Sequence, residues 1–448
     1  MRSLDITSLI VETRVSPAAI TLENVIDTVT GTPRGNDPIL DDLVDEIIDK
    51  GVQEEEIERT YEKISAEHPI KYPIRFEDYS TDSTMSIIAN RLKGAKESGK
   101  TMRIAFLGDS FIEADILTAD VREQLQKLFG GNGVGFVPIA SVANKYRYSI
   151  DHTYSGWTTF SMVDFKNADW KKLTLTGFYY IPEEDATFSI KPGKRATNTS
   201  PIQTARLLFI NEKNTQVTAV INGSETKTFS PPSSPDIQTI EIYGEISSIS
   251  FSFNKVEGFV GYGVYLNDDK GVYVDNYSVR GSSGLTLSAS DKKLSSRFNQ
   301  LVPYDVIILQ YGINVTGANI TNYSYYKKKM IDVVKMMKSY FPNTAFIIMG
   351  VSDRAMKNNN SFETMPGILA MVEVQRQIAK ETGSIFWDTF SAMGGKNSML
   401  AFVSHNPPLA SKDYTHINHA GGKRIAESFV YSLIKEVEAS KTAQKRKK

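Results

Sequence analysis

Three short segments of this 448-residue chain hold residue types suited to nucleophilic chemistry. The first is Gly108-Asp109-Ser110, at the end of the apolar run Arg103-Ile104-Ala105-Phe106-Leu107. A buried strand ending there projects the Ser110 hydroxyl from the carboxyl edge of a sheet, where open α/β folds bind their ligands. Gly108 permits a tight turn at that edge. The second is Asp413-Tyr414-Thr415-His416, just ahead of a helical stretch. The third is Gln310-Tyr311-Gly312-Ile313-Asn314, directly after another apolar strand, Val306-Ile307-Ile308-Leu309. Serine, histidine and aspartate together make an acyl-transfer site. A serine hydroxyl is a weak nucleophile and needs a positioned base. His416 is the candidate base. Asp413, three residues earlier, can reach the same imidazole and fix its tautomer.

Each segment also has a plainer reading. Asp109 and Ser110 are good turn and cap formers. Asp388, at the end of a later strand, is a substitute for Asp413, and His405 and His419 are nearby competitors of His416. What favours the catalytic reading is the set taken together with Arg280-Gly281-Ser282-Ser283-Gly284. In this order the four blocks resemble the SGNH (GDSL-type) hydrolase family, named for its Ser, Gly, Asn and His. The family's serine falls on Ser110, its glycine on Gly281, its asparagine on Asn314, its histidine on His416 and its aspartate on Asp413. Gly284 competes with Gly281; Gly281 is preferred because it follows the strand-like run ending at Val279-Arg280. The asparagine block reads Gly-Ile-Asn-Val, where the family commonly has Gly-x-Asn-Asp or Gly-x-Asn-Glu. Phe111 stands where some relatives carry a histidine.

The resemblance covers roughly residues 85–150 and 276–438 and implies a flavodoxin-like, three-layer α/β domain with a parallel sheet. It also implies an oxyanion hole built from the backbone N–H groups of Ser110 and Gly281 and the side-chain amide of Asn314. No cofactor is implied. The histidines are few and scattered, so no metal site is expected.

The elements that must position these residues follow from periodicity. Helices are expected at 85–98, 117–129, 323–340, 365–382 and 420–434, and strands at 103–107, 305–310, 345–351 and 384–387. Strands alternating with helices imply a parallel sheet covered on both faces. Between them the pattern turns to period 2, in Ala205–Ile210, Gln216–Ile221, Ile246–Phe253 and Gly261–Leu266, with turn residues such as Asn222-Gly223 and Pro231-Pro232. The expectation is an all-β sandwich over 151–275, inserted into a hydrolase domain made of 85–150 and 276–440. Trp157, Trp170 and Tyr262 in it are either sugar-stacking aromatics or core residues. Residues 1–84 read as a partly helical appendage, with helical spacing over Asp41 to Lys63, and 441–448 as a basic, disordered tail.

Composition narrows the function classes. With a net charge of −1 there is no global field that would draw nucleic acid or an anionic membrane. The absence of cysteine excludes disulfides, thiolate catalysis and cysteine-bound metals. No apolar run approaches the roughly 18 residues of a membrane span. The first residues lack a signal-peptide pattern, so the protein is expected to be cytoplasmic or to have lost its signal. The stretch Arg103 to Pro138 further resembles envelope-associated bacterial family members, which are similar in layout to peptidoglycan and polysaccharide O-acetylesterases that also carry a β module. That likeness implies a serine esterase acting on acylated polysaccharide or peptidoglycan, in the periplasm or outside the cell. An O-acetyltransferase acting on a glycan, or a catalytically silent glycan-binding protein, are the competing readings. A lipase or thioesterase is disfavoured by the lack of a long apolar lid. Oligomeric state is left open.

Overall fold

The computed structural model describes residues 74–445, apart from 165, 194–200 and 360. The expected helix over 41–63 and residues 446–448 lie outside the described residues.

One sheet has six strands: β1 (Glu77–Asp78), β2 (Thr101–Gly108), β3 (Gly271–Ser278), β4 (Val306–Gln310), β5 (Ala345–Met349) and β6 (Ile385–Trp387). Their spatial order is β1-β6-β5-β4-β2-β3. All neighbours run parallel except β1, which pairs antiparallel to β6. Strands buried on both faces read as continuous apolar runs, which is how β2, β4 and β5 stand in the sequence. Alternate side chains part to the two faces. Ile104, Phe106, Val306, Ile308, Ile347 and Met349 join a core with helices α1 (Thr84–Ser98), α2 (Thr118–Phe129) and the last long helix, His419–Lys445. Ala105, Leu107, Ile307, Leu309, Phe346 and Ile348 join another with α3 (Lys292–Leu301), α4 (Ser324–Tyr340) and α5 (Pro366–Thr382). The result is the three-layer α/β/α arrangement expected for the hydrolase part. The last helix runs to Lys445, into the segment expected as a tail.

A second sheet of nine strands is antiparallel throughout. Its two halves meet at the single bridge between Gly261 and Tyr180. One half pairs Phe178–Pro192 with Ile150–Ser161 and Ile249–Asn254; the other pairs Phe259–Asn267 with Gly133–Pro138 and Ile202–Asn211. Tyr180, Phe188, Phe251 and Phe253 from the first share a core with Leu207, Phe209, Phe259 and Val264 from the second. This is the β-sandwich, inserted between β2 and β3.

The strand pairing differs from the expected segment edges at both ends. Gly133–Pro138 belongs to the sandwich sheet, although it was expected in the hydrolase part. Gly271–Ser278, most of which was expected in the sandwich, pairs parallel with β2. Glu77–Asp78, expected in the appendage, edges the parallel sheet. Tyr262, Trp157 and Trp170 are each packed against other residues of the protein. Tyr262 is fully buried and donates its hydroxyl to the Lys172 carbonyl at 2.9 Å. Trp157 packs edge-on to Phe253 and donates its indole N–H to the Thr187 carbonyl. Trp170 is partly buried against the core that the parallel sheet shares with α3, α4 and α5.

The two modules are joined by a buried polar network. Asp275 on β3 accepts from Arg103 at 3.0 Å, from Tyr304 at 2.7 Å and from the Phe136 backbone N–H at 2.9 Å. Tyr277 and Tyr265 continue the chain of hydroxyls from Tyr304.

Candidate active site

β2 ends at Gly108, and the next two residues open a 3₁₀ segment, Ser110–Asp115. A Cβ on Gly108 would lie 2.8 Å from the Gln310 carbonyl of β4 and 2.9 Å from Ile112, so only glycine lets these strand ends approach. Asp109 caps the segment, its carboxylate accepting from the Phe111 N–H at 3.0 Å. Ser110 is 5% exposed, set at the carboxyl edge of the sheet.

His416 reaches Ser110 from the loop before the last helix. Its Nε2 lies 3.1 Å from Ser110 Oγ. Its Nδ1 lies 2.5 Å from Asp413 Oδ2. The other oxygen of Asp413 accepts from the backbone N–H groups of Thr415 and His416, at 2.9 and 3.0 Å, and from Ser411 Oγ at 2.7 Å. Burial alone would raise this carboxyl, but the hydrogen bond and charge of His416, with the backbone and Ser411 donors, outweigh it. Asp413 is therefore held well below the usual carboxylate range and stays charged. Ser110, His416 and Asp413 form one continuous hydrogen-bonded line.

Asn314 stands beside them, in the 3₁₀ turn Ile313–Val315 that follows β4. Its amide nitrogen donates to Asp109 Oδ2 and to the Ser282 carbonyl, both at 3.0 Å. Both amide hydrogens are engaged in this state, which the sequence did not anticipate. Asp109 is fully buried. Desolvation pushes its carboxyl up to about 7 against the opposing pull of the Phe111 N–H and the His416 and Arg280 charges.

Gly281 and Gly284 differ in what makes them glycines. Both have positive φ, +78° and +84°. A Cβ on Gly281 would meet nothing within 4 Å, whereas one on Gly284 would strike the Tyr311 ring at 2.8 Å. Gly284 thus serves packing, and Gly281 borders open space. The neighbour of Gly281, Arg280, donates to Glu113 Oε2 at 2.8 Å and ties this loop to the segment that begins with Ser110. No local sequence signal marks that pair.

The competing residues are occupied elsewhere. Asp388 caps the short helix Thr389–Met393 through Ser391 and pairs with Arg376. His405 Nδ1 bonds the Pro407 carbonyl at 2.8 Å. His419 stacks on Tyr148 and bonds the Tyr146 carbonyl.

No protein-family model matches the chain, and no curated protein does. Solved structures do. A peptidoglycan O-acetylesterase matches with a TM-score of 0.67 at 22% identity, over 81% of this chain and 99% of that one. A family two carbohydrate esterase from Cellvibrio japonicus, at 9% identity over 64% of this chain and 99% of its own, and a salicylyl-acyltransferase from a tetracycline biosynthetic pathway, at 10% over 63% and 97%, reach TM-scores of only 0.26 and 0.28. The chain therefore shares the fold of that peptidoglycan O-acetylesterase structure, a three-layer α/β domain carrying an inserted β domain, over nearly the full length of that structure.

Proposed function

We propose that this protein is a serine esterase that removes acetyl or other short acyl groups from a carbohydrate or peptidoglycan. The observation that carries the reading is the unbroken line Ser110 Oγ, His416, Asp413 at 3.1 and 2.5 Å. The fold shared with a peptidoglycan O-acetylesterase supports the substrate class.

In this reading His416 takes the Ser110 proton as the hydroxyl attacks the acyl carbon, then returns it to the departing sugar alcohol. Water repeats the sequence on the acyl-enzyme. Asp413 stabilises the imidazolium. The oxyanion is held by the N–H groups of Ser110 and Gly281 and by Asn314. To donate there, Asn314 shares or gives up its bond to Asp109 or Ser282. A developing oxyanion is a stronger acceptor than a neutral carbonyl, which favours the exchange. One such donor is worth about 3–4 kcal/mol of transition-state stabilisation. Among the described residues no helix is long and apolar enough to cross a membrane. A glycan substrate fits the periplasm or the cell exterior.

The test is hydrolysis of p-nitrophenyl acetate, butyrate and octanoate by wild type and Ser110→Ala. Acetate-selective turnover, lost at least a thousandfold in the variant, is the expected outcome. Equal rates from both proteins would overturn the reading. Acetyl transfer that needs a sugar acceptor would reassign the chemistry to an O-acetyltransferase.

A further inference from the structure

Arg354 lies between β5 and the hairpin formed by Ala355–Asn358 and Ser361–Thr364, at the same sheet edge as Ser110. Its backbone is pinned on both sides. The Arg354 carbonyl accepts from Met365 N at 2.8 Å, and Ala355 N donates to the Tyr414 carbonyl, between Asp413 and His416, at 3.0 Å. The preceding Asp353 is buried, accepting from Thr364 Oγ1 and Met399 N at 2.9 and 2.8 Å. The loop is therefore fixed against the candidate catalytic loop.

The side chain is not matched in the same way. Arg103, Arg122 and Arg147, all buried or nearly so, each pair with a carboxylate. Arg354 is partly buried, yet its guanidinium makes no hydrogen bond or ion pair among the described residues. The nearby charge it senses is that of Asp413. None of the guanidinium nitrogens is sealed from solvent, so the fork is open to an incoming acceptor. Its planar fork of donors suits a carboxylate. Asp413, already negative, disfavours a doubly charged guest and so favours a single carboxylate over a phosphate dianion. On the same hairpin Phe362 is exposed, with one face stacked on Tyr414 at 3.9 Å between ring centroids and 14° between planes. Its exposed surface suits the apolar side of a sugar ring.

We propose that Arg354 and Phe362 form a recognition subsite for a carboxylate-bearing sugar unit next to the acylated position. The inference rests on the deacylase reading for its place beside the reacting ester, but recognition is measurable without turnover. Ser110→Ala protein is titrated by calorimetry with a peptide-free muramyl glycan fragment, whose lactyl carboxylate is unsubstituted, with an oligogalacturonate, with the carboxyl-reduced form of each, and with a neutral xylo-oligosaccharide. One carboxylate glycan is expected to bind at least tenfold more tightly than its reduced form. Adding Arg354→Gln erases that difference, Arg354→Lys restores part of it, and Phe362→Ala weakens the charged and reduced forms alike. Which glycan shows the difference identifies the source of the carboxylate. Equal binding of intact and reduced glycans, binding of neither, or discrimination that survives Arg354→Gln overturns the proposal. In parallel, the ratio of kcat/KM for acetylated charged over acetylated neutral glycan falls at least tenfold in Arg354→Gln. If no ester shows Ser110-dependent turnover, the deacylase reading fails while the calorimetry still decides the subsite.

Discussion

At the residue scale, the candidate site is a set of ordinary side chains made unusual by their neighbours. Asp413 is charged because four donors surround it. Replacing it with asparagine leaves His416 free to adopt the wrong tautomer. Asp413→Asn is expected to lower kcat on p-nitrophenyl acetate by about 10³–10⁴-fold with little change in KM. Asp109 is shifted the other way, to about 7. Its ordinary value is near 4, so the folded state holds a proton that the unfolded state has released between those values. The stabilisation is complete below about pH 4 and is lost as pH rises through about 7. The urea midpoint of wild type is expected to fall more from pH 5 to pH 8 than that of Asp109→Asn; parallel slopes would remove Asp109 from the account. The Ser110 and His416 blocks were legible because each is a contiguous run beside a recognisable strand or helix. The partners of Asn314 were not, because Asp109 and Ser282 come from segments far apart in the chain. Arg354 has no local signature at all.

At the element scale, strands and helices that bury a regular face were readable from period alone. α4 and α5 start within one residue of expectation, at Ser324 and Pro366. Gln216–Ile221 matches its expected limits. The two residues of β1 are too short to show a period. The hairpin after Arg354 carries Lys357, Asn358 and Asn359, which read as loop. Gly133–Pro138 contains two glycines at positive φ, a poor strand signal. Their reason is close approach: a Cβ on Gly135 would lie 2.5 Å from the Val274 carbonyl. The glycines of the second block allow a direct comparison. Gly281→Ala pays only for its left-handed backbone, about 1–2 kcal/mol, and is expected to stay folded while losing kcat. Gly284→Ala adds a collision with Tyr311 and is expected to cost about 1–3 kcal/mol more. Urea unfolding of the two variants, read beside their ester turnover, separates packing from chemistry.

At the scale of the whole molecule, the α/β and sandwich modules are not beads on a string. Asp275 and Arg103 form a buried pair at their junction, with three tyrosine hydroxyls attached. Removing one partner of a buried pair strands the other charge, at a cost of about 3–5 kcal/mol. Asp275→Ala is expected to lower the urea midpoint accordingly and to split one unfolding transition into two as the modules uncouple; a single transition at the wild-type midpoint would show the junction to be energetically idle. That an insertion exists was legible from the change of period. Where the strands change sheets was not, because β3 is apolar enough to serve either one.

The line from Ser110 to His416 spans 306 residues of sequence. A ribosome therefore makes Ser110 long before His416, and β1 must wait for β6 before the sheet has its edge. The whole sandwich is made in that interval. A nascent chain that stops short of His416 carries Ser110 without the imidazole that pairs with it, so the acyl-transfer capacity proposed above can arise only once that residue has been made.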